Sequence, residues 1–255
     1  MTLSVVVITL NEEANIGALL ESVRQADERI VLDCGSTDGT LEIARSVGAK
    51  TFTQEWKGYP AQKNSAIAKA NGDWVLSLDA DEIVEPELME EIRRVTQHSS
   101  PVNGYYIPRK NYFLGRWMRH GGFYPDRKLR LFRRGQGRFV DRPVHEVVEV
   151  TGPTGTLNHA LIHNSYPTLD TYIEHMNRYS TLGAEIAGQG GRFSLLNIVV
   201  NPLATFVYNY FFRLGLLDGR EGLLLHLYHS AYVSWKYAKA WEQGRAPQSQ
   251  SKSSS

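Results

Sequence analysis

The first 82 residues alternate strand and helix patterns at a rhythm that few architectures accommodate. Residues 3–10 form a short β-branched run suited to a strand buried on both faces. Residues 12–25 have helical spacing, with Ile16, Leu19, Leu20 and Val23 on one side. A second strand spans 29–32 and ends in Asp33-Cys34-Gly35-Ser36. Thr37-Asp38-Gly39-Thr40 then opens a helix through Val47, with Gly48 as its stop. A short strand at 51–53, a helix over 59–70 and a strand at 74–78 follow, and the last runs into Asp79-Ala80-Asp81-Glu82. Pro86 starts an acidic helix that continues to about Val95. This alternation predicts βαβ units and a mostly parallel sheet.

In such a sheet, ligands bind beyond the carboxyl ends of the strands. The polar clusters at 9–11, 33–38 and 79–82 all follow strands, so the topology gathers them on one edge. Asp79-x-Asp81 is the most informative pair. Two carboxylates at a strand end can converge on Mg²⁺ or Mn²⁺ and its phosphate ligands, or can form an ordinary solvated turn. Asp33–Thr40 has two compatible readings: a tight turn whose Thr37 or Asp38 caps a helix, and a strand tip whose Asp33 meets a ribose or base edge. Thr9 and Glu12 carry the same ambiguity, and Asn11 can serve as a cap. No G-x-G-x-x-G follows the first strand and no G-x-x-x-x-G-K-[ST] occurs, which favours a metal over a glycine-rich loop as the phosphate holder.

The rhythm changes after Ser100. Strands are expected at 104–109 and 128–133, a further one within 139–150, and a helix over 169–187. The stretch 193–217 is rich in Leu, Val, Phe and Tyr but holds Asn197, Asn201, Pro202, Asn209 and Arg213. A second apolar helix covers roughly 222–241, and the tail from Ala246 is low-complexity. Charge is segregated beneath a formal net of +1: residues 1–104 carry −8 and residues 105–142 carry +9. Near-neutrality argues against a nucleic-acid protein. The basic block, interleaved with aromatics, suits an anionic acceptor or membrane surface. The single cysteine, Cys34, excludes an internal disulfide framework and a Cys-rich zinc site. No signal peptide is visible at the start, so the bulk of the chain is expected in the cytoplasm. The apolar region is read as an interfacial helix pair, with Trp235, Tyr237 and Trp241 near headgroups, rather than as a transmembrane span.

Together, four ordered motifs resemble the inverting GT-A glycosyltransferases of family 2: residues 5–13, 33–40, 57–64 and 76–82. The second half is similar to a narrower subgroup, the lipopolysaccharide inner-core β-glucosyltransferases. The matching pieces there are 111–115, 121–126, 128–134, 144–146 and 163–166. The resemblance covers about residues 3–240. It implies a Rossmann-like, mostly parallel GT-A sheet with a C-terminal helical, membrane-associating appendage. Residues 1–100 would be the nucleotide-sugar half, 101–190 the acceptor and catalytic half, 191–245 the apolar appendage and 246–255 a disordered tail.

The resemblance also assigns roles. Thr9, Asn11, Glu12, Asp33, Asp38, Lys63 and Asp79 become contacts to a UDP-sugar donor. Asp79, Asp81 and His163 become ligands of Mn²⁺ or Mg²⁺; by itself His163 reads as an ordinary loop histidine. Glu146 in Val144-His145-Glu146 stands where the family places its general base, although His145 replaces the usual acid. Asp126 is the competing candidate. The implied activity is inverting transfer of a hexose, most simply glucose, to a saccharide or lipid-linked acceptor of the cell envelope, by a protein peripheral on the inner face of the membrane. Two rivals remain open at this point: a metal-dependent phosphohydrolase or nucleotidyltransferase, and a non-catalytic nucleotide-sugar-binding partner.

Overall fold

The computed structural model describes residues 1–98, 101–140, 147–188 and 195–245. Its elements in chain order are β1 (Leu3–Thr9), α1 (Ile16–Ser22), β2 (Glu28–Asp33), α2 (Thr40–Ser46), β3 (Lys50–Thr53), α3 (Tyr59–Ile67), β4 (Trp74–Leu78), β5 (Glu82–Val84) and α4 (Pro86–Gln97). There follow β6 (Gly104–Phe113), β7 (Arg116–Trp117), β8 (Asp126–Arg133), β9 (Gly137–Val140), β10 (Val147–Val150), β11 (Thr154–Thr156) and β12 (Leu161–Tyr166). The chain then becomes helical, with α5 (Leu169–Gly188), α6 (Leu195–Val207), a π-helical turn (Tyr208–Phe212), a 3₁₀ turn (Gly215–Asp218) and α7 (Gly219–Arg245). It divides into two compact units, one of residues 1–112 and 123–165, the other of 113–122 and 166–255.

The first unit is built on a sheet ordered β3-β2-β1-β4-β8-β6-β12-β5. Strands β3, β2, β1 and β4 run parallel, as the βαβ rhythm requires. The expectation of a mostly parallel sheet needs correction, because the sheet is mixed: β4–β8, β8–β6 and β12–β5 are all antiparallel. The physical reason lies in the connections. Beyond residue 100 the crossover helices stop, and β8 returns antiparallel beside β6, although the short β11 pairs with β6 in parallel.

Alternation along each central strand fills both faces. Val5, Val7, Leu76 and Leu78 pack with Ile16, Leu19 and Leu20 of α1 and Leu88, Met89 and Ile92 of α4. Val6, Ile30, Leu32 and Val75 pack on the other side with Ala66 of α3 and Phe132 of β8. Chain order then creates a switch. From β1 the chain moves to β2 on one side and later returns to β4 on the other, so a crevice opens between the ends of β1 and β4.

Helix α1 begins at Ile16 rather than near Glu12, because residues 12–15 form a tight turn in which Asn15 and Ile16 both donate to the Glu12 carbonyl. Glu82–Val84 is a further short strand, which the sequence pattern does not mark.

In the second unit, α5 and α6 both pack on α7. Lys239 clasps α5 from α7 through the Asn177 carbonyl, Ser180 and Thr181 at 2.7–2.8 Å. His120 and Asp218 are joined by ring and backbone hydrogen bonds of 2.8 and 2.9 Å. The buried His226 ring sits against Gly121 and Gly215, and a Cβ at either would lie 2.1 Å from it. Gly121 also has φ +66°. Gly121→Ala therefore meets both a clash and an unfavourable backbone. It should lower stability by about 1–3 kcal/mol, read as a fall in denaturation midpoint. A midpoint equal to wild type would show that the ring can withdraw.

Candidate functional site

Three strand ends meet at the crevice edge. Two of them, after β1 and β2, are zipped together by their loops. Asn11 sits at φ +55°. Its N–H donates to the Ser36 hydroxyl at 2.8 Å, and its side-chain oxygen accepts from the Thr37 N–H at 2.9 Å. The Glu12 N–H reaches Thr40 Oγ1 at 2.8 Å, and the Glu13 N–H reaches Asp38 at 3.2 Å. Asp33 is fully buried and accepts four hydrogen bonds, from Thr9 Oγ1 (3.0 Å), Ser36 Oγ (2.5 Å) and the N–H groups of Gly35 and Ser36 (2.8 Å each). Burial alone would raise its carboxyl, but the Ser36 and Gly35 donors outweigh that and hold it below the usual range. These four bonds fix the shape of the loop at the strand end. Asp38 behaves similarly, bonding the Thr40 hydroxyl and N–H at the start of α2.

Beyond β4 the pattern differs. The N–H of Asp79 donates to Glu82 Oε2 at 2.9 Å, which curls the Asp79–Glu82 turn around a buried carboxylate. One oxygen of Asp79 accepts from Lys63 Nζ at 2.8 Å; the other is held by the Arg130 guanidinium. Arg130 also bonds Glu82 Oε1 at 2.7 Å, and Arg109 bonds the same oxygen at 3.2 Å. Burial would raise the Asp79 carboxyl, yet Arg130 and Lys63 hold it well below its ordinary value. The guanidinium of Arg130 is correspondingly raised: burial lowers it, and Asp79 and Glu82 more than reverse that. Both oxygens of Asp79, which the sequence groups with Asp81 and His163 as a metal ligand, thus rest on cations, and its charge is felt at Asp81.

Asp81 and His163 do come together. Strand β12 pairs with β5 so that His163 lies opposite Glu82, and the Asn164 N–H bonds the Asp81 carbonyl at 3.1 Å. His163 therefore stands on a strand, not in the loop expected from the sequence. Its Nε2 is 3.3 Å from Asp81 Oδ2. Its Nδ1 is 2.7 Å from both Asn111 Oδ1 and Ser165 Oγ. The Asn111 amide is oriented by its other end, whose NH₂ donates to the Phe123 carbonyl at 3.1 Å and to Asp126 at 3.4 Å. The Asn111 oxygen must then accept, and Nδ1 of His163 carries the proton. Two acceptors, a neutral Nε2 and a carboxylate, would then face each other across 3.3 Å, so a proton or a metal cation belongs between them. Burial would raise the Asp81 carboxyl, but hydrogen bonding and charge from His163 hold it lower.

The pair fits a hard divalent cation. Cis ligands at about 2.1 Å from an octahedral ion lie roughly 3 Å apart. Among the described residues no three His, Cys, Asp or Glu side chains form a ready cage. Mg²⁺ and Mn²⁺ do not need one, since they take one or two protein ligands and complete the shell with water and phosphate oxygens. Glu12 faces the same space. Burial raises its carboxyl, and the charges of Asp81, Asp38 and Asp79 add to the rise, while Asn15 opposes it.

Asp126 is less suited to the base role. Arg109 holds it through Nε and Nη2 at 3.0 and 2.5 Å, and Lys128 lies 3.2 Å away. Burial would raise its carboxyl, but Arg109 and Lys128 bring it down to about 2. A carboxylate with so little proton affinity is a weak general base near neutrality. Its stability contribution has a definite sign. The folded value lies below the ordinary 3.8, so the pairing is fully present above that pH and is lost as pH falls through about 2. Asp126→Asn should therefore flatten the acid limb of a stability–pH profile between about 4 and 2. An unchanged limb would place the loss elsewhere. Glu146 lies outside the described residues.

The sequence reading did not single out Arg130, Arg109 or Asn111. Arg130 had a signal: a cation in the otherwise apolar run Leu129–Phe132 of a strand must have a partner if the strand is buried. Asn111 opens the 111–115 motif of the resemblance, but its bond to His163 depends on β6 and β12 being neighbours.

Comparison with known proteins bears on the class. The family model "Glycosyl transferase family 2" matches residues 4–151. The lipopolysaccharide core biosynthesis glycosyltransferase LpsC of Rhizobium meliloti is 30% identical over 252 residues, covering 95% of this chain and 93% of LpsC. An uncharacterised glycosyltransferase of Rickettsia typhi is 30% identical over 236 residues, covering 87% of this chain and 80% of that one. In the fold, the chain is similar to glucosyl-3-phosphoglycerate synthase of Mycobacterium tuberculosis, solved with phosphoglyceric acid, at TM-score 0.50 and 20% identity over 72% of this chain and 78% of that one. With its parallel β3-β2-β1-β4 array, its carboxylate-lined switch point and a match over more than half its length, the chain belongs to glycosyltransferase family 2.

Proposed function

We propose that the protein is an inverting, metal-dependent hexosyltransferase acting from a UDP-sugar, most simply UDP-glucose, on a saccharide or lipid-linked acceptor of the lipopolysaccharide core at the inner face of the cell membrane. The observation that carries the reading is the Asp81–His163 pair, 3.3 Å apart at the sheet's switch point, with Nδ1 of His163 fixed as donor by Asn111. Similarity to LpsC along nearly its whole length supports the envelope-glycan assignment.

In this reading Asp81 and His163 would hold Mn²⁺ or Mg²⁺, which when bound neutralises the departing diphosphate. Lys63 and Arg130 keep Asp79 ionised and fixed at the rim, where it meets the donor's ribose or diphosphate shell. Asn11, Glu12 and Asp38, with Thr9 and Asp33 behind them, form the wall against the nucleoside. Glu146 takes the proton of the acceptor hydroxyl as that oxygen attacks the anomeric carbon from the face opposite the leaving group. The donor half is residues 1–100 and the acceptor half 101–190.

A thermal-shift screen of nucleotide sugars with Mn²⁺ or Mg²⁺ tests the donor, because a ligand that binds only the folded state raises the midpoint. A UDP-hexose should give the largest metal-dependent rise, and that hexose should then appear on a truncated lipid A–core acceptor. Release of phosphate or diphosphate without sugar transfer would contradict the reading.

A further inference from the structure

Helix α6 has its polarity reversed. In a helix facing water, the apolar stripe is turned inward and the polar stripe outward. Here Asn197, Asn201, Thr205 and Asn209, spaced four residues apart, lie on the partly covered side. Val199, Leu203, Val207, Phe211 and Phe212 lie on the outer side, with Val199 63%, Leu203 62% and Phe212 75% exposed.

The inward face is fixed by chemistry as well as by burial. Pro202 lacks an N–H, so the carbonyl of Ile198 four residues earlier loses its helical donor. Ser234 of α7 supplies a replacement, donating from Oγ to the Ile198 carbonyl at 3.0 Å. That bond and the packing of α6 on α7 leave the apolar stripe pointing away from its own unit.

The stripe ends in a basic corner. Arg213 and Arg220 are exposed, and the Arg213 carbonyl accepts from the Gly121 N–H at 2.9 Å. This brings in the segment that carries Arg116 and exposed Arg119. A Cβ on Gly219 would lie 3.0 Å from the Arg116 guanidinium. The acidic residues nearby are Asp218, which is buried on His120, and Glu221, 3.6 Å from Arg116. Between 195 and 217 the only charged residue is Arg213.

We propose that the outward face of α6 and the turns that follow it form a docking surface for an anionic lipid bilayer, with the apolar stripe in the acyl boundary and the arginine corner among the headgroups. Two observations fix the mode as lying on the bilayer. Thirteen residues of α helix reach only about 20 Å, short of a hydrocarbon core of roughly 30 Å. Among the described residues no helix is long and apolar enough to cross. The charge pattern favours lipid over a second copy of the chain, because four arginines stand in the corner beside the stripe against two acids, one of which, Asp218, is buried on His120. The proposal deepens the inner-face placement in the reading above and rests on that part of it alone.

Co-sedimentation of the full chain tests the proposal, using vesicles of phosphatidylethanolamine with phosphatidylglycerol and, separately, of phosphatidylcholine alone. Wild type should pellet with the anionic vesicles and do so less at high salt. Leu203→Glu combined with Phe212→Glu should weaken partitioning on the order of a hundredfold while leaving the melting midpoint in place, since both side chains are exposed. Arg119→Glu combined with Arg220→Glu should abolish the preference for anionic over neutral vesicles. Wild type left in the supernatant overturns the proposal. So does a stripe variant that still pellets like wild type, or a solution dimer that the stripe variant splits. The readout uses neither donor nor acceptor, so failure here and failure of the transfer reading are separable.

Discussion

Asp81→Asn should abolish sugar transfer while leaving the fold intact. Asp81 contributes one of two side chains that converge at the switch point, and its partner oxygen sits 3.3 Å from His163 Nε2. An amide keeps the shape but removes the negative charge that a hard divalent cation requires. Without that charge the diphosphate leaves uncompensated, a loss of several kcal/mol of transition-state stabilisation and hence of about three or more decades in rate. Stability should fall only slightly: burial and the charge of Asp79 oppose the carboxylate, and bonding and charge from His163 more than offset them. The decisive comparison is kcat/KM against melting midpoint. Full turnover in this variant, with chelation also harmless, would remove the metal from the account.

The second large effect concerns stability. Arg130 is buried and bridges Asp79 and Glu82, of which Glu82 is completely buried. Arg130→Leu fills much of the space but strands two carboxylates, with only Lys63 and Arg109 left beside them. Breaking a buried ion pair from one side typically loses about 3–5 kcal/mol, which for a chain of this size lowers the midpoint by on the order of 10 °C. Arg109 cannot substitute, because Asp126 holds its other edge. A double-mutant cycle with Asp79→Asn separates mechanism from mere packing. If the pair is the cause, the double variant loses less than the sum of the singles. Strict additivity would assign the loss to the cavity.

The βαβ half was legible because period and punctuation coincide there. Trp74–Leu78 reads as a strand and is one, and the polar clusters that follow β1, β2 and β4 meet on one edge as strand polarity demands. The later half was less legible. Its strands are irregular in pattern, β6 running four residues past Arg109 to Phe113 and β5 hiding inside an acidic turn. Within the site, Asp81 and His163 were readable as types of ligand. Their union depends on β12 pairing with β5, which no local pattern encodes. The ion pairs of Asp79 with Lys63 and Arg130 were equally hidden, because they span α3, β4 and β8. For Asp33 the sequence allows both a tight turn and a ligand contact at the strand tip. Its four internal hydrogen bonds come from a loop geometry that spacing does not specify.

In the proposed function, Asp81 and His163 would bind one divalent cation together with the donor's diphosphate. Electron paramagnetic resonance of Mn²⁺ tests it directly. Adding wild-type protein and a UDP-hexose should remove the free-ion signal together, each more effectively than alone. His163→Ala and Asp81→Asn should leave the signal in place while their melting midpoints stay near wild type. Equal quenching by wild type and both variants, or no dependence on the nucleotide sugar, would contradict the account.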